Sequence, residues 1–146
     1  MVTFAVCRSA PTLISGFALA CLVLVVASAA AQNPGGSPEA RKVKNPIQPT
    51  KASIAAGAAV YKKHCTHCHG DGGKGDGTSA PSGSKPADLT DAKWVRGSTD
   101  GELHAVIVNG AGPKFQMKAL GGKLKGPEIW HVINYMRSIG PANAAR

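Results

Sequence analysis

Hydrophobic and polar residues are arranged differently in three parts of the chain. An apolar run from Leu13 to Val26 ends in the small residues 27–31. Residues 32–52 are rich in proline and charge and offer almost nothing to bury. From Ser53 to Pro141, apolar residues recur three and four positions apart, which is typical of amphipathic helices. The pattern predicts one folded region that follows two segments of different character.

Three main helices are predicted in the third part. The first covers Ser53 to about His64, with its N-cap at its first residue. The second opens with the capping-box sequence at Thr99 and ends at Gly110, and the third covers Pro127 to Gly140. A short helix over Asp91–Arg96 is also predicted. Nothing alternates like a strand for long, so the predicted class is all-α.

The first part has the features of an export signal. Arg8 precedes the apolar run, and the small residues that follow give an Ala-x-Ala ending. A signal peptide over residues 1–31, cleaved before Gln32, is therefore predicted. An uncleaved membrane anchor is the alternative, because residues 12–31 reach the length that spans a bilayer. We expect a periplasmic or otherwise exported protein, or one that is anchored and faces the periplasm.

The remaining boundaries follow from composition. Residues 32–52 contain four prolines and four basic residues, which predicts a flexible linker. Residues 53–141 form the predicted domain, and residues 142–146 are a tail. A domain of about 90 residues has a marginal core on its own, so a large apolar cofactor would stabilise it.

The cysteines indicate which cofactor the domain binds. Cys7 and Cys21 lie in the export segment, which leaves Cys65 and Cys68 in the mature chain, followed directly by His69. This is the C-x-x-C-H pattern of covalent c-type haem attachment. Two thiols at this spacing lie on one side of a helical turn, where each can add to one vinyl group of a porphyrin. The adjacent histidine can then reach the iron.

Three other interpretations of the cysteines fit less well. A redox-active disulfide would need a βαβ context, which the sequence lacks. A zinc site could recruit His64, His67 or His69, but the predicted mature chain has no second cysteine pair at a distance. A structural disulfide is the simplest alternative, and it leaves the adjacent histidine unexplained.

The chain resembles the class I mono-haem cytochromes c. The resemblance rests on Gly57-x3-Tyr61-x3-Cys65-x2-Cys68-His69-Gly70, a glycine-rich loop, a late-loop methionine and a closing helix with Trp130-x4-Tyr135. It covers residues 53–140. It implies a small fold of three to five helices around one covalently bound haem c, with Gly57 at the crossing of the first and last helices.

The second iron ligand has several candidates. They are Met117, Met136, His64, His67, His104 and His131. Met117 lies in an irregular segment with no helical face to serve, and it matches the family's late-loop ligand. The resemblance therefore implies a His69/Met117 pair. A loop methionine can also simply fill a gap in the core.

Two further residues are assigned through the resemblance. A proline carbonyl beyond the haem loop holds the ligating histidine in the family, and Pro86 is the first choice here, with Pro81 second. Trp94 is assigned as a donor to a haem propionate, with plain core packing as its alternative.

These features predict a periplasmic one-electron carrier that passes electrons between redox proteins and has no catalytic residue. Met/His ligation raises the reduction potential and closes the iron to small molecules. One alternative is a haem subunit of a larger dehydrogenase or oxidase. Another is an open-site haem enzyme, which requires that Met117 does not bind the iron.

The distribution of basic residues indicates which kind of partner protein to expect. The chain has a formal charge of +9, but residues 53–141 hold 11 basic and 7 acidic residues. No nucleic-acid motif accompanies this excess. Lysines flank the haem motif and the Met117 loop, at positions Lys62, Lys63, Lys74, Lys114 and Lys118. We expect redox partners with acidic docking faces, and membrane contact only if the N-terminal segment is uncleaved.

Overall fold

Helices form where the chain offers a cap followed by apolar residues at helical spacing. The computed structural model describes residues 37–112 and 116–141. It contains α1 (Pro38–Lys42), α2 (Lys51–His64), α3 (Thr66–His69), α4 (Asp100–Asn109) and α5 (Gly126–Ile139). In these residues the only extended pairing is an isolated bridge between Ala111 and Met117. The all-α prediction is confirmed.

The helix ends follow the predicted chemistry with one exception, and one predicted helix does not form. The capping box of α4 is present, since the Thr99 hydroxyl accepts from the Glu102 amide and the Glu102 carboxylate accepts from the Thr99 amide. However, α2 begins at Lys51, before the predicted start, because the Thr50 hydroxyl caps it. The short helix over Asp91–Arg96 was wrong, since this stretch consists of turns and bends.

The helices α2 and α5 cross at Gly57. A Cβ atom at this position would lie 2.0 Å from the His131 carbonyl oxygen and 2.9 Å from the Tyr135 Cβ. The two backbones can therefore approach this closely only with glycine here. One turn further on, the Tyr61 and Tyr135 rings lie 5.1 Å apart. The predicted role of Gly57 is confirmed.

The core lies between α2, α4 and α5, together with two loop leucines. Its buried apolar residues form a single cluster, which consists of Tyr61, Leu89, Leu103, Ile107, Leu124, Ile129, Val132, Ile133 and Met136. We call this set the core cluster. Ile133 is completely buried, at 0% exposure. Burying a side chain of this size contributes roughly 1.5–3 kcal/mol, so α5 supplies much of the stability.

The N-terminal arm, residues 37–50, differs from the predicted flexible linker. Arg41 forms an ion pair with Glu102 at 2.7 Å, and the Asn45 side chain donates to the Asn134 side chain at 2.9 Å. Gly101 lets the arm approach α4, because a Cβ there would lie 2.0 Å from the Ala40 carbonyl oxygen. The flexible linker was predicted from the low hydrophobicity of this segment. In the structure, polar side-chain contacts hold the arm against α4 and α5.

All described residues belong to one compact unit. The predicted signal peptide and its cleavage point before Gln32, and the tail at 142–146, lie outside the described residues. No described helix has both the length and the apolar character that crossing a membrane requires.

Candidate functional site

The two cysteines and the adjacent histidine lie in one tight turn at the end of α2. The Cys65 amide donates to the Tyr61 carbonyl at 2.8 Å and so completes the last turn of α2. The Cys65 carbonyl then accepts from the amides of Cys68 and His69, at 3.1 and 2.9 Å. The motif is therefore folded into one helical turn by the backbone itself.

Both cysteines are free thiols and half-buried. Burial, and secondarily the neighbouring Cys68, raise the pKa of the Cys65 thiol to about 11. A thiol with such a pKa stays protonated at neutral pH and reacts slowly without an activating partner. This environment is unlike that of a redox-active C-x-x-C pair, in which at least one thiol pKa is lowered.

The His69 ring is oriented by a backbone carbonyl. Its Nδ1 donates to the carbonyl oxygen of Ala87 at 3.0 Å. Burial lowers the pKa of His69, and the bond to Ala87 partly opposes that shift. The ring is therefore neutral, with its Nε2 lone pair left for a metal ion.

The choice of Pro86 as this acceptor was wrong by one residue. The Pro86 carbonyl faces Gly75, where a Cβ would lie 2.4 Å from the Pro86 oxygen. The next carbonyl, from Ala87, is the one that accepts the His69 hydrogen bond. Residue type gives no signal for this role, since every residue has a carbonyl.

The glycine-rich loop folds back onto the motif turn. The amides of Gly75 and Gly77 donate to the carbonyls of His69 and Cys68, at 2.9 and 3.1 Å. A Cβ at Gly77 would lie 2.5 Å from the Cys68 carbonyl carbon. These glycines therefore let the loop lie directly against the motif backbone and hold its shape.

Met117 is fixed in its loop by paired backbone hydrogen bonds. The amide and carbonyl of Ala111 bond to the carbonyl and amide of Met117, at 2.9 and 3.1 Å. Gly110 precedes this pair with φ +78°, and a Cβ there would lie 2.6 Å from the Met117 carbonyl oxygen. The half-buried Met117 packs against the core cluster.

Three of the other candidate ligands make contacts that explain their positions. Met136 belongs to the core cluster and is 7% exposed. His131 Nδ1 lies 2.8 Å from the Ser53 hydroxyl, and the His104 ring stacks on Trp130 with 4.2 Å between centroids. His67 lies on the exposed side of the motif turn. Met136, His131 and His104 thus each have a packing or hydrogen-bonding role that requires no iron.

Trp94 packs against the core cluster, as do Cys65 and Met117. Its indole nitrogen is buried and has no hydrogen-bond acceptor among the described residues. A buried donor of this kind is rare unless a ligand completes it. Three of the residues that the sequence singled out, Cys65, Trp94 and Met117, therefore pack against the same core cluster.

These residues fit a covalently bound haem. The turn presents two free thiols and an oriented neutral imidazole, which are the groups that haem c needs for attachment and for one axial bond. The buried, unpaired indole donor and the apolar surface beside it suit a large ring with carboxylate substituents. In contrast, no group of three or more potential metal-binding side chains occurs among the described residues.

The comparison with protein families decides the identity of the domain. The family model for cytochrome C oxidase, cbb3-type, subunit III matches residues 52–136. The chain belongs to this family. Its domain is a class I-type cytochrome c domain for electron transport, with covalently bound haem c and its iron, as the sequence predicted.

Curated relatives of this cytochrome domain are oxidase subunits. It is 36% identical over 86 residues to the cbb3-type cytochrome c oxidase subunit FixP of Bradyrhizobium sp. strain ORS 278. It is 31% identical over 107 residues to the FixP of Azorhizobium caulinodans. These alignments cover 59% and 73% of this chain, but only 27% and 29% of those proteins. The chain thus spans less than a third of the relatives' length.

Solved structures show the same fold. The chain resembles a reducing HAO-like protein complex of Kuenenia stuttgartiensis with a TM-score of 0.59 and 29% identity, over 68% of this chain and 50% of that one. It resembles cytochrome CL of Methylophaga aminisulfidivorans with a TM-score of 0.53 and 25% identity, over 65% and 59%. The fold prediction is therefore confirmed.

Proposed function

We propose that this protein is an exported one-electron carrier whose iron is held between His69 and Met117. The observation that carries the proposal is the hydrogen bond from His69 Nδ1 to the Ala87 carbonyl. This bond fixes the tautomer and leaves Nε2 as the only ring atom that can bind a metal. Cys65 and Cys68 are the attachment points. When bound, haem c supplies an Fe(III)/Fe(II) couple.

Met117 completes the proposed ligand pair. Its backbone is held at both amide and carbonyl by Ala111, so its position does not depend on a bond to iron. A thioether is a soft ligand that favours Fe(II), and it fills the position that oxygen or peroxide would need. The proposed role is therefore electron transfer and not catalysis on a small molecule.

The Met117 assignment is tested by a matched pair of methionine variants. In the oxidised protein, Met117→Ala should abolish the sulfur-to-iron charge-transfer band, while Met136→Leu should keep it, because Met136 packs in the core. Covalent haem attachment, checked by mass, should persist in both. A band that survives in Met117→Ala, or that is lost in Met136→Leu, contradicts the assignment.

A role as a haem subunit of an oxidase complex is the second candidate. The family match over residues 52–136 and the FixP relatives favour it. The two roles share the same haem chemistry and differ in how tightly the partner is held. A free carrier separates from its partners in high salt, whereas a subunit stays with the complex during purification.

The exposed lysines support partners with acidic docking faces. Lys62 and Lys63 are exposed at the end of α2, Lys74 in the glycine-rich loop and Lys118 beside Met117. Lys114 lies outside the described residues. Exposed charges of one sign speed the encounter with an opposite surface and act over about 10 Å at 0.1 M salt. The proposal requires that electron transfer to such a partner slows as salt rises.

Export is proposed from the N-terminal sequence. The apolar run, the preceding Arg8 and the Ala-rich ending support a signal peptide that is removed before Gln32. Haem c is attached outside the cytoplasm, so export and the C-x-x-C-H motif are mutually consistent. The mass of the mature protein from the periplasm distinguishes cleavage from an uncleaved, membrane-anchored form.

A further inference from the structure

The helix crossing and the haem motif leave one buried hydroxyl unexplained. Tyr61 lies on α2, one turn before Cys65, and is 1% exposed. Its hydroxyl donates to the carbonyl of Gly70 at 2.7 Å, and its own carbonyl accepts from the Cys65 amide at 2.8 Å. This one residue therefore bonds to both ends of the segment that carries the two thiols and His69.

Core packing does not require this hydroxyl. The Tyr61 ring belongs to the core cluster and lies 5.1 Å from the Tyr135 ring, and a phenylalanine would make the same ring contacts. A buried hydroxyl is favourable only where it has a hydrogen-bond partner. Burial raises the pKa of Tyr61 above its ordinary value, so the hydroxyl remains a donor throughout the neutral range. Its function therefore lies in the group that accepts from it, the backbone at Gly70.

The Gly70 carbonyl lies where the motif turn joins the glycine-rich loop. Gly70 has φ +76°, the left-handed region that glycine adopts without strain. Besides the hydroxyl, its carbonyl accepts from the Gly73 amide, but at the longer distance of 3.2 Å. A Cβ at Gly73 would lie 3.6 Å from the Tyr61 hydroxyl oxygen, so the loop passes directly beside this group. The hydroxyl makes the shorter of the two bonds that hold this junction.

The same loop leads to the carbonyl that orients the iron ligand. The Gly73 carbonyl accepts from the amide of Leu89 at 2.6 Å, two residues after Ala87. The Ala87 carbonyl in turn accepts from His69 Nδ1 at 3.0 Å. The imidazole is thus held at its backbone by the motif turn and at its ring by a segment that is bonded to the loop. Both supports meet at the Tyr61 hydroxyl.

We propose that the Tyr61 hydroxyl is a positioning group for the iron ligand, which it keeps aligned through the turn at Gly70 and the loop beyond it. The inference rests on the proposed function, in which His69 Nε2 binds the iron, and it adds a residue that acts through the backbone. A hydrogen bond from Nδ1 to a carbonyl makes an imidazole a stronger donor to a metal ion. Loosening that bond should destabilise Fe(III) relative to Fe(II), so removal of the hydroxyl should raise the midpoint potential.

The test compares three variants of the exported holoprotein. Tyr61→Phe removes the hydroxyl and keeps the ring. Tyr135→Phe is the matched control, because it removes the hydroxyl of the neighbouring ring, which does not bond to Gly70. Ile133→Val removes one buried carbon atom and lowers stability about as much as the loss of one hydrogen bond, so it reports the effect of destabilisation alone.

The first readout is hydrogen exchange at His69 Nδ1, followed by proton NMR of the reduced, low-spin protein. In Tyr61→Phe the exchange should be about fivefold faster, which is the loss of one ordinary hydrogen bond expressed as a ratio of rates. It should be unchanged in Tyr135→Phe and in Ile133→Val. The second readout is the midpoint potential, which should rise in Tyr61→Phe only.

The proposal requires both changes. An exchange rate or a midpoint potential in Tyr61→Phe that matches the unmodified protein would overturn it. An equal acceleration of exchange in Tyr61→Phe and Ile133→Val would also overturn it, because the hydroxyl would then be an ordinary stabilising contact with no particular link to His69.

These outcomes are separate from those of the ligand assignment. If the charge-transfer band is present in every variant while exchange and potential do not change, only the role of Tyr61 is wrong. If the unmodified protein lacks the band, the assignment of Met117 fails. Exchange at His69 Nδ1 is then measured in the reduced protein with carbon monoxide bound, which makes the iron low-spin, and it still tests Tyr61.

Discussion

Two contacts between distant parts of the chain are built in opposite ways. The crossing of α2 and α5 is a close backbone contact at Gly57 with aromatic rings beside it. The contact of the N-terminal arm with α4 and α5 combines a close backbone approach at Gly101 with side-chain hydrogen bonds and one ion pair. Both contacts require a glycine, but the first is otherwise apolar and aromatic, whereas the second is also divided among several polar groups of modest strength.

Some of these contacts can be recognised in the sequence, and others cannot. Gly57 stands out because a glycine inside a helix is unfavourable by about 1 kcal/mol and needs a reason. Asn45 and Arg41 have no such signal, because exposed and buried polar residues look alike in sequence. The following predictions test this difference, beginning with the largest expected effect.

Gly57→Ala should be the most damaging of the substitutions that follow. Its Cβ would lie 2.0 Å from a backbone oxygen, which cannot move without displacing α5. Overpacking of this kind costs typically 1–3 kcal/mol, and contact with backbone belongs at the upper end. Urea denaturation of the holoprotein measures the loss. Gly126→Ala is the control, since nothing lies within 4 Å of a Cβ there, and it should change little. Equal stability of the two variants would refute the crossing.

Asn134→Ala should lower the free energy of unfolding by about 2 kcal/mol, less than Gly57→Ala, because it leaves buried hydrogen-bonding groups without a partner. The Asn134 side-chain amide donates to the Ile47 carbonyl and to the Ser53 hydroxyl, at 3.0 and 2.9 Å. Asn45→Ala should cost about half as much, since Asn45 lies nearer the surface. Chemical denaturation checks both. If Asn134→Ala has no effect, the arm is not attached as the structure shows.

Arg41→Ala should have a smaller effect, about 0.5 kcal/mol, since the Arg41 side chain is 62% exposed. Burial raises the pKa of Glu102, but hydrogen bonds from Thr99, Arg41 and Ser98 outweigh it and hold that pKa below its usual value. The bonds from Thr99 and Ser98 remain in the variant. The difference from the unmodified protein should shrink further in 1 M salt, and a loss as large as that of Asn134→Ala would contradict this account.

The His104–Trp130 stack should give the smallest effect, as a pH dependence. Burial lowers the pKa of His104 below its ordinary value of 6.5. The folded state therefore binds a proton less readily than the unfolded state, so stability is full above pH 6.5 and declines as the pH falls through the folded-state pKa. Urea midpoints between pH 7.5 and 5 measure this. In His104→Phe, that part of the decline should disappear; an identical profile would exclude His104 as its source.

Much of the fold could be predicted from the sequence, because it follows from periodicity and caps. The apolar stripe of α5 and the Thr99 capping box are local features that tertiary contacts merely confirm. The haem motif could also be recognised, since its chemistry requires a fixed spacing. The start of α2 was misplaced because two hydroxyl residues three positions apart, Thr50 and Ser53, both make acceptable caps. In the structure the Thr50 hydroxyl caps the helix, and the Ser53 hydroxyl lies 2.8 Å from His131 Nδ1.

The parts that could not be predicted depend on contacts between segments far apart in the chain. The carbonyl that orients His69 comes from 18 residues away and belongs to Ala87, a residue type without functional character. The fixation of Met117 by Ala111 is likewise purely a backbone contact. A sequence pattern identifies side chains. It therefore cannot predict which backbone groups will form these hydrogen bonds.

The central claim is that the iron is closed on both sides, by His69 and Met117, and only exchanges electrons. Its most direct test is a redox-titrated optical spectrum of the exported holoprotein. The account predicts a six-coordinate, low-spin haem in both oxidation states, a single one-electron transition and no spectral change on adding carbon monoxide to the reduced form. High-spin iron, or rapid binding of carbon monoxide, would contradict it.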